Sequence, residues 1–193
     1  MADQALTKEE ILDTTVQVLR RFGPEKTTVV DVARALNVSH GTIYRHFPSK
    51  ASLREAVAKR WLHGIIKPLE VVQKQEGSPT ELLRLWVETL IQIKHSKVQE
   101  DPELFTMYTT LVEESVEVVS SHIAELIGQI TPIIEKGIAE KEFKSSNAAN
   151  TASGVFMATA RFHHPAHAKE WASPTINQEF DIVWNLILSG ILK

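Results

Sequence analysis

Apolar residues recur every three or four positions along nearly the whole chain. In residues 7–22, for example, Ile11, Val18 and Phe22 lie on one stripe with Leu12 and Leu19, which is the periodicity of an amphipathic helix. No run alternates apolar and polar residues over a length that requires a strand. The pattern therefore predicts an all-α fold.

Capping residues and prolines divide the rest of this pattern into further helices. A helix is expected to begin at Ser49 and to continue to about residue 67, because Pro68 predicts a kink or a break. Later helices are predicted to cover Thr80 to about Lys97, a segment starting at Pro102, about 115–139, 146–162 and 174–192.

The stretch from Thr27 to Lys50 has the signals of two short helices joined by a three-residue turn. Thr28 followed by Asp31 is a variant of the capping box, so a helix is expected to start there. Asn37 tolerates the left-handed backbone of a tight turn, and Ser39 is a good N-cap for the second helix. The stretch predicts a helix-turn-helix.

The second of these helices is expected to show a short, polar and partly basic face. Ile43 and Phe47 are predicted to point inward. The residues left outside are His40, Gly41, Thr42, Tyr44, Arg45 and His46. Such a face suits a helix that reads the major groove of DNA.

Lys50 follows Pro48 and Ser49 and falls in the first turn of the next predicted helix. A lysine at that place opposes the helix dipole, so contact with a phosphate explains it better than helix stability does. The alternative for the whole stretch is a helical hairpin with an ordinary solvated face.

About a dozen of these residues, at fixed spacing, carry a family resemblance. Thr27-Thr28 through Asp31-Val32-Ala33, then Ser39-x-Gly41-Thr42-x-Tyr44-x-His46-Phe47-x-Ser49-Lys50, resembles the DNA-binding domain of the tetracycline-repressor (TetR) family of bacterial transcriptional regulators. The resemblance covers residues 7–60 strongly, and the remainder mainly in its helical layout. It implies a two-fold dimer on a palindromic double-stranded operator, repression as the default mode, and release from DNA by a small-molecule effector of unknown identity.

The polar residues of this stretch have two predicted roles on DNA. Contact with base edges is expected of His40, Thr42 and Arg45, while Gly41 allows close backbone approach. Phosphate contacts are expected of Thr28, Ser39, Tyr44, His46 and Lys50.

Charge is distributed unevenly, which supports a DNA-binding N-terminal part. The whole chain has a net charge of −3, but residues 1–60 contain 10 Lys or Arg and 7 Asp or Glu, for a net +3. We expect a DNA-binding domain over 1–50, a connecting helix at about 49–67, and an effector-binding and dimerisation domain over 68–193.

Composition narrows the function classes further. The 193 residues include no cysteine and no apolar stretch long enough to cross a membrane, so a cytoplasmic protein without membrane partners is expected. The chain has none of the common catalytic motifs, and we expect neither an enzyme nor a cofactor. A helical protein-interaction module without sequence-specific DNA binding is the alternative, although it leaves the exposed face around His40 unexplained.

Two features of the second domain suggest its partners. The last two predicted helices are rich in small and apolar residues, as expected of a helix-pair interface in a homodimer, or of helices that only close the core. An effector pocket is expected among aromatic residues and one arginine, each of which plain core packing or helix capping also explains. These candidates are Trp86, Phe105, Tyr108, Phe156, Arg161 and Phe162.

Three histidines, His163, His164 and His167, lie within five residues of one another. Imidazoles so close together suggest a metal site, but Pro165 breaks the helical spacing and no cysteine completes a ligand set. A capped turn between two helices is the expected structure, and no metal is predicted.

Overall fold

A computed structural model describes residues 6–114, 116–144 and 146–193, and it confirms the all-α prediction. Those residues form ten α-helices and one 3-10 segment, with no strand among them. The helices are α1 Lys8–Phe22, α2 Val29–Ala35, α3 His40–His46, α4 Lys50–Gln73, α5 Pro79–Glu100, α6 Pro102–Glu114, α7 Val116–Ala139, α8 Ala148–Ala158, α9 Ala160–His163 and α10 Ile176–Ile191, with the 3-10 segment Pro165–Glu170 between the last two.

The chain divides into two compact units. The first unit contains the residues up to His63 together with Asp101–Val118, and the second unit contains Gly64–Glu100 and Val119–Lys193. No helix in the described ranges is long and apolar enough to span a membrane.

The first unit is organised around α1. Thr7 and Glu10 form the predicted capping box at its start, and Gly23 ends it with a φ of 78°. Ile11 and Leu19 on its inner face are buried. At the far end of the unit, the Arg20 Nε donates to the Asp101 carboxylate over 2.7 Å and links α1 to the start of α6.

The largest differences from the predicted helices concern α4 and the segment 146–162. α4 continues through Pro68 to Gln73, so the predicted end near residue 67 was wrong. Proline costs one backbone hydrogen bond there, but Ile66 and Leu69 are fully buried on either side and keep the helix in place. The predicted helix 146–162 is instead two helices that meet at Thr159, whose hydroxyl donates to the Val155 carbonyl. The helix predicted over about 115–139 was expected to start near residue 115, which lies outside the described residues.

The second unit has a core of long helices and large side chains. Trp86 of α5 donates its indole N–H to the Gln129 side chain of α7 over 3.0 Å, which joins the two helices inside the core. At the C-terminal end of α7, the buried Phe143 ring packs on Gly137 so closely that a Cβ at that glycine would overlap it.

Candidate DNA-binding site

The site begins with a fully formed cap on α2. The Thr28 hydroxyl accepts from the Asp31 amide over 3.2 Å, while the Asp31 carboxylate accepts from the Thr28 amide over 3.0 Å. Two N–H groups that helix geometry leaves without partners are thereby satisfied. These bonds from Thr28, with smaller contributions from the charges of Arg34 and Lys50, lower the pKa of Asp31.

The turn to α3 has the predicted conformation. Asn37 adopts a φ of 55°, and the Val38 amide donates back to the Ala33 carbonyl over 3.0 Å. Ser39 then caps α3 by accepting from the Thr42 amide over 3.2 Å. Local sequence chemistry thus fixes the angle at which α3 leaves the turn.

Packing of α3 leaves the predicted polar face outside. Ile43 is fully buried and Phe47 is 7% exposed, so both anchor the helix to the first unit. On the outer face the rings of His40 and Tyr44 meet edge to face at 6.2 Å, and Tyr44 is 43% exposed. Of the predicted DNA-contacting side chains, Thr42 and His46 are half-buried and the others are exposed.

Hydrogen bonds hold the centre of this face in place. The Thr42 hydroxyl shares a bond of 3.0 Å with the Ser39 hydroxyl and accepts from the Arg45 guanidinium over 3.3 Å. Two side chains assigned to bases and one assigned to phosphate are therefore already connected without DNA, which reduces the entropy lost on binding.

The start of α4 completes the site. Ser49 and Ser52 exchange amide-to-hydroxyl bonds of 3.0 Å in each direction, so α4 is capped at Ser49 as predicted. Lys50 is the first residue of the helix and is exposed. Its ammonium group lies near enough to the α2 cap to lower the pKa of Asp31, so two predicted phosphate-contacting residues, Thr28 and Lys50, are neighbours.

The candidate effector residues fall into two groups. Phe105 and Tyr108 belong to the first unit, where both rings pack on Trp61, with centroids 6.4 and 5.0 Å away. In the second unit, Trp86 and Phe162 are buried, and the Phe162 ring packs edge to face on Phe180. The four aromatic candidates named here therefore do not lie in one compact unit.

Arg161, Phe156 and the three histidines have distinct surroundings in the second unit. Arg161 is paired with Glu170 at 3.0 Å and Glu179 at 2.8 Å. The Phe156 ring lies 4.7 Å from the buried imidazole of His163.

The other two histidines form a capped turn, as the sequence suggests. The His164 Nδ1 accepts from the Ala166 amide over 3.2 Å and caps the 3-10 segment. The His167 Nδ1 lies 2.6 Å from the Glu170 carboxylate, and that hydrogen bond lowers the pKa of Glu170.

Sequence reasoning missed a group of basic residues inside the second unit. Lys94, His122 and His163 are 3%, 5% and 3% exposed. The signal for Lys94 was present, because it follows Leu90 by four residues on the apolar stripe of α5, where a lysine is out of place.

Comparison with known proteins identifies both parts of the chain. The family model described as bacterial regulatory proteins, tetR family, matches residues 11–57. The model described as tetracyclin repressor-like, C-terminal domain, matches residues 79–184, more than half of the chain.

Three similar proteins match this chain over nearly its whole length. The nucleoid occlusion factor SlmA of Shewanella denitrificans is 22% identical over 194 residues, covering 96% of this chain and 95% of that protein. The transcriptional regulator FadR from Bacillus subtilis, solved with stearoyl-CoA, has a TM-score of 0.69 at 19% identity, covering 96% of this chain and 100% of that one. SmeT, the repressor of a Stenotrophomonas maltophilia multidrug efflux pump, has a TM-score of 0.69 at 16% identity, covering 97% of this chain and 91% of that one.

Proposed function

The chain belongs to the tetR family of bacterial regulatory proteins, which are ligand-responsive DNA-binding regulators of transcription, and we propose that it is a repressor. In this proposal a homodimer binds a palindromic operator in the cytoplasm and a small molecule releases it. The observation that carries the proposal is the outer face of α3, which is polar and mostly exposed and whose helix is capped at its start by the Ser39 side chain.

The exposed face supports two separate roles on DNA, base-edge contact and phosphate contact. His40, Thr42 and Arg45 contact base edges in the major groove, and the backbone at Gly41 comes close to the DNA. The phosphate-contacting residues are Thr28, Ser39, Tyr44, His46 and Lys50, which border that face or lie at the adjoining helix caps.

The proposed dimer interface uses α8 and α10. These helices pack together, and three large apolar side chains on them remain outside the core: Met157 is 67% exposed, Ile182 is 70% and Leu186 is 72%. Ile182 and Leu186 are one helical turn apart and share a face. Burying such residues against a second copy removes apolar surface from water, and two-fold symmetry matches a palindrome.

The release mechanism depends on the division of the chain. We assign DNA binding to residues 1–50 and effector binding and dimerisation to 68–193, with α4 as the connection because it begins at the DNA-binding site and continues into the second unit. If the effector shifts α4, DNA and effector weaken each other's binding by the same factor.

Selection of bound sequences from a random double-stranded DNA pool, at two salt concentrations, tests this proposal. We expect enrichment of a palindrome, and weaker binding at the higher salt because phosphate contacts release counterions. Binding without enrichment, or enrichment of a single half-site only, would contradict a dimeric sequence-specific repressor.

Thr42→Ala is expected to relax base preference at one position of each half-site. Loss of a hydroxyl contact to one base edge reduces discrimination there by about 1 kcal/mol, roughly fivefold. The measurement is a binding profile across single-base operator variants. Thr106→Ala, which removes an exposed threonine on α6, is the matched control and should keep the profile of the parent protein.

Tyr44→Phe is expected to weaken binding to all DNA sequences about equally, by at least roughly tenfold, because it removes one hydrogen bond to a charged phosphate in each half-site. The salt dependence of binding should be unchanged, whereas Lys50→Ala should reduce the log–log slope by about 0.9 for each subunit, or about 1.8 for the dimer. Tyr108→Phe alters the only other tyrosine of the chain and is the control. An effect of Tyr44→Phe on only some operator sequences would assign the hydroxyl to a base instead.

A further inference from the structure

A cleft of about 260 Å³ lies between α5 and α10 in the second unit. Residues within 84–95 of α5 line one wall and residues within 176–181 of α10 line the other. Phe162 of α9 also lines the cleft, and it is the effector candidate predicted from the sequence that does so. Pockets for drug-sized ligands measure about 300–1,000 Å³, so the volume of this cleft suits a small ligand.

The two helices that form the cleft run antiparallel. The carbonyl of Ile191, the last residue of α10, accepts from the Lys144 amide over 2.8 Å. Two residues before that lysine, the Glu142 carboxylate accepts from the Thr80 amide at the start of α5 over 3.1 Å. The end of α10 is therefore close to the start of α5, which gives the helices opposite directions.

Arg84 bridges the two walls and fixes their register. Its Nε donates to Glu88 over 2.7 Å, and its Nη2 donates to Asp181 across the cleft over 2.6 Å. On α5, Glu88 is four residues beyond Arg84, and on α10, Asn177 is four residues before Asp181. At about 1.5 Å per residue on antiparallel helices, Glu88 and Asn177 are both roughly 6 Å from the bridge and level with each other.

The residues that line the cleft have one negative charge in excess. Glu88 and Asp181 are two carboxylates, and Arg84 is the single guanidinium beside them. Arg84 binds one oxygen of each carboxylate, and no described side chain donates to the other oxygen. Burial lowers the pKa of His95 below 6.5, against the opposing effect of its hydrogen bond with the Phe162 carbonyl, so His95 adds no positive charge at pH 7. Such a cleft favours a monovalent cation.

Aromatic side chains of the same region already hold one cation. The Arg84 guanidinium lies 5.7 Å from the centre of the Phe180 ring and 6.0 Å from that of Trp184. Phe162 packs edge to face on Phe180 at 5.3 Å, and Ile176 is buried beside the cleft. The walls thus combine ring surfaces that attract a cation with apolar area that suits an organic body.

We propose that this cleft binds a protonated primary amine with an aromatic body, whose ammonium group pairs with Glu88, and that this amine is the effector. The inference rests on the proposed ligand-responsive function and names the class of molecule that acts in it. An ammonium group has three N–H donors, which suit the second Glu88 oxygen and the side-chain oxygen of Asn177. From Glu88 to His95 the wall continues for seven residues, roughly 10 Å, which accommodates a ring on a short linker.

The position of the cleft connects it with the proposed dimer interface. Asp181 lines the cleft, and the next residue, Ile182, is 70% exposed on the face that it shares with Leu186. An amine between α5 and α10 therefore acts on the helix through which the two copies contact each other. Binding energy that favours one position of α10 is the differential interaction that an effector needs.

Calorimetric titration at pH 7 with phenethylamine and tryptamine tests the proposal, with phenethyl alcohol and tryptophol as neutral controls. Alkylamines are protonated at this pH, as lysine is. At least one amine is expected to bind ten or more times tighter than its alcohol. Glu88→Gln keeps the shape of the side chain and removes its charge, so it should reduce amine affinity at least tenfold and leave alcohol affinity nearly unchanged. Glu100→Gln, on α5 but outside the cleft, should retain the preference for the amine.

Ile91→Trp tests the location independently of charge. Ile91 lines the cleft and is half-buried, so a larger side chain there should occupy the space of the aromatic body. Both the amine and its alcohol are expected to bind at least tenfold more weakly. Circular dichroism verifies that each variant is folded, and unchanged affinities in a folded Ile91→Trp would place the ligand elsewhere and overturn the proposal.

The same proteins are then titrated onto the selected operator with and without the better amine. Release of the unsubstituted protein but not of Glu88→Gln is the expected result. The proposal is overturned if neither amine binds at millimolar concentration, if the alcohols bind equally well, if Glu88→Gln keeps the preference, or if the bound amine leaves operator affinity unchanged. Failure of all variants to bind any palindrome without ligand would instead reject the proposed repressor function.

Discussion

Acidification from pH 7 to pH 4.5 is expected to destabilise the second unit by roughly 5 kcal/mol through two histidines alone. Burial, with a smaller effect of the Lys94 charge, lowers the pKa of His122 and of His163 from 6.5 to about 3 each. Between pH 6.5 and pH 3 the unfolded chain binds protons at these two histidines, and the folded unit excludes them. Stability is therefore complete above pH 6.5 and is lost as the pH falls toward 3, by about 1.36 kcal/mol per histidine and pH unit.

Urea unfolding of the second unit between pH 4.5 and 8, followed by tryptophan fluorescence, measures this effect. His122→Leu should remove about half of the loss and His122→Leu/His163→Leu nearly all of it. His40→Ala removes a histidine that is exposed on α3 and should retain the pH dependence of the parent protein. An equally steep loss in the double variant would show that other groups cause the acid sensitivity.

Raising the pH from 7 to 10 is expected to stabilise the second unit by roughly 3–4 kcal/mol through Lys94. Burial lowers the pKa of Lys94 from 10.5 to about 7. Between those two pH values the unfolded chain binds a proton that the folded unit excludes, so stability rises with pH by up to about 1.36 kcal/mol per pH unit. For a protein of this size, 1 kcal/mol corresponds to about 2–4 °C in Tm.

Lys94→Met removes the titrating group and should therefore leave stability nearly constant between pH 7 and 10. Lys97→Met, three residues further along α5, is the matched control and should respond to pH like the parent protein. Thermal unfolding at pH 7 and at pH 10 measures the effect. An equal rise of Tm in Lys94→Met would show that other groups cause it.

The DNA-binding site was predictable because its signals are local. The caps at Thr28, Ser39 and Ser49 and the left-handed Asn37 each depend on residues within a few positions, so spacing alone indicated them. The inward direction of Ile43 follows from the same spacing, since a helix side chain is oriented by its own backbone. Whether these residues contact DNA as assigned stays a prediction.

Long-range packing decided the features that the sequence did not reveal. α4 passes Pro68 because buried side chains on both sides outweigh the missing hydrogen bond, and Phe105 and Tyr108 join Trp61 in the first unit rather than the other aromatic candidates.

The sequence by itself determined the all-α fold, the helix-turn-helix and the family, because periodicity and capping act over one or two helical turns. Only the tertiary structure decided which faces are enclosed. Lys94 is 28 residues from His122 and 69 from His163 in the chain, and the Trp86–Gln129 and His95–Phe162 bonds bring the three together. Such contacts depend on helix register, which no local pattern specifies.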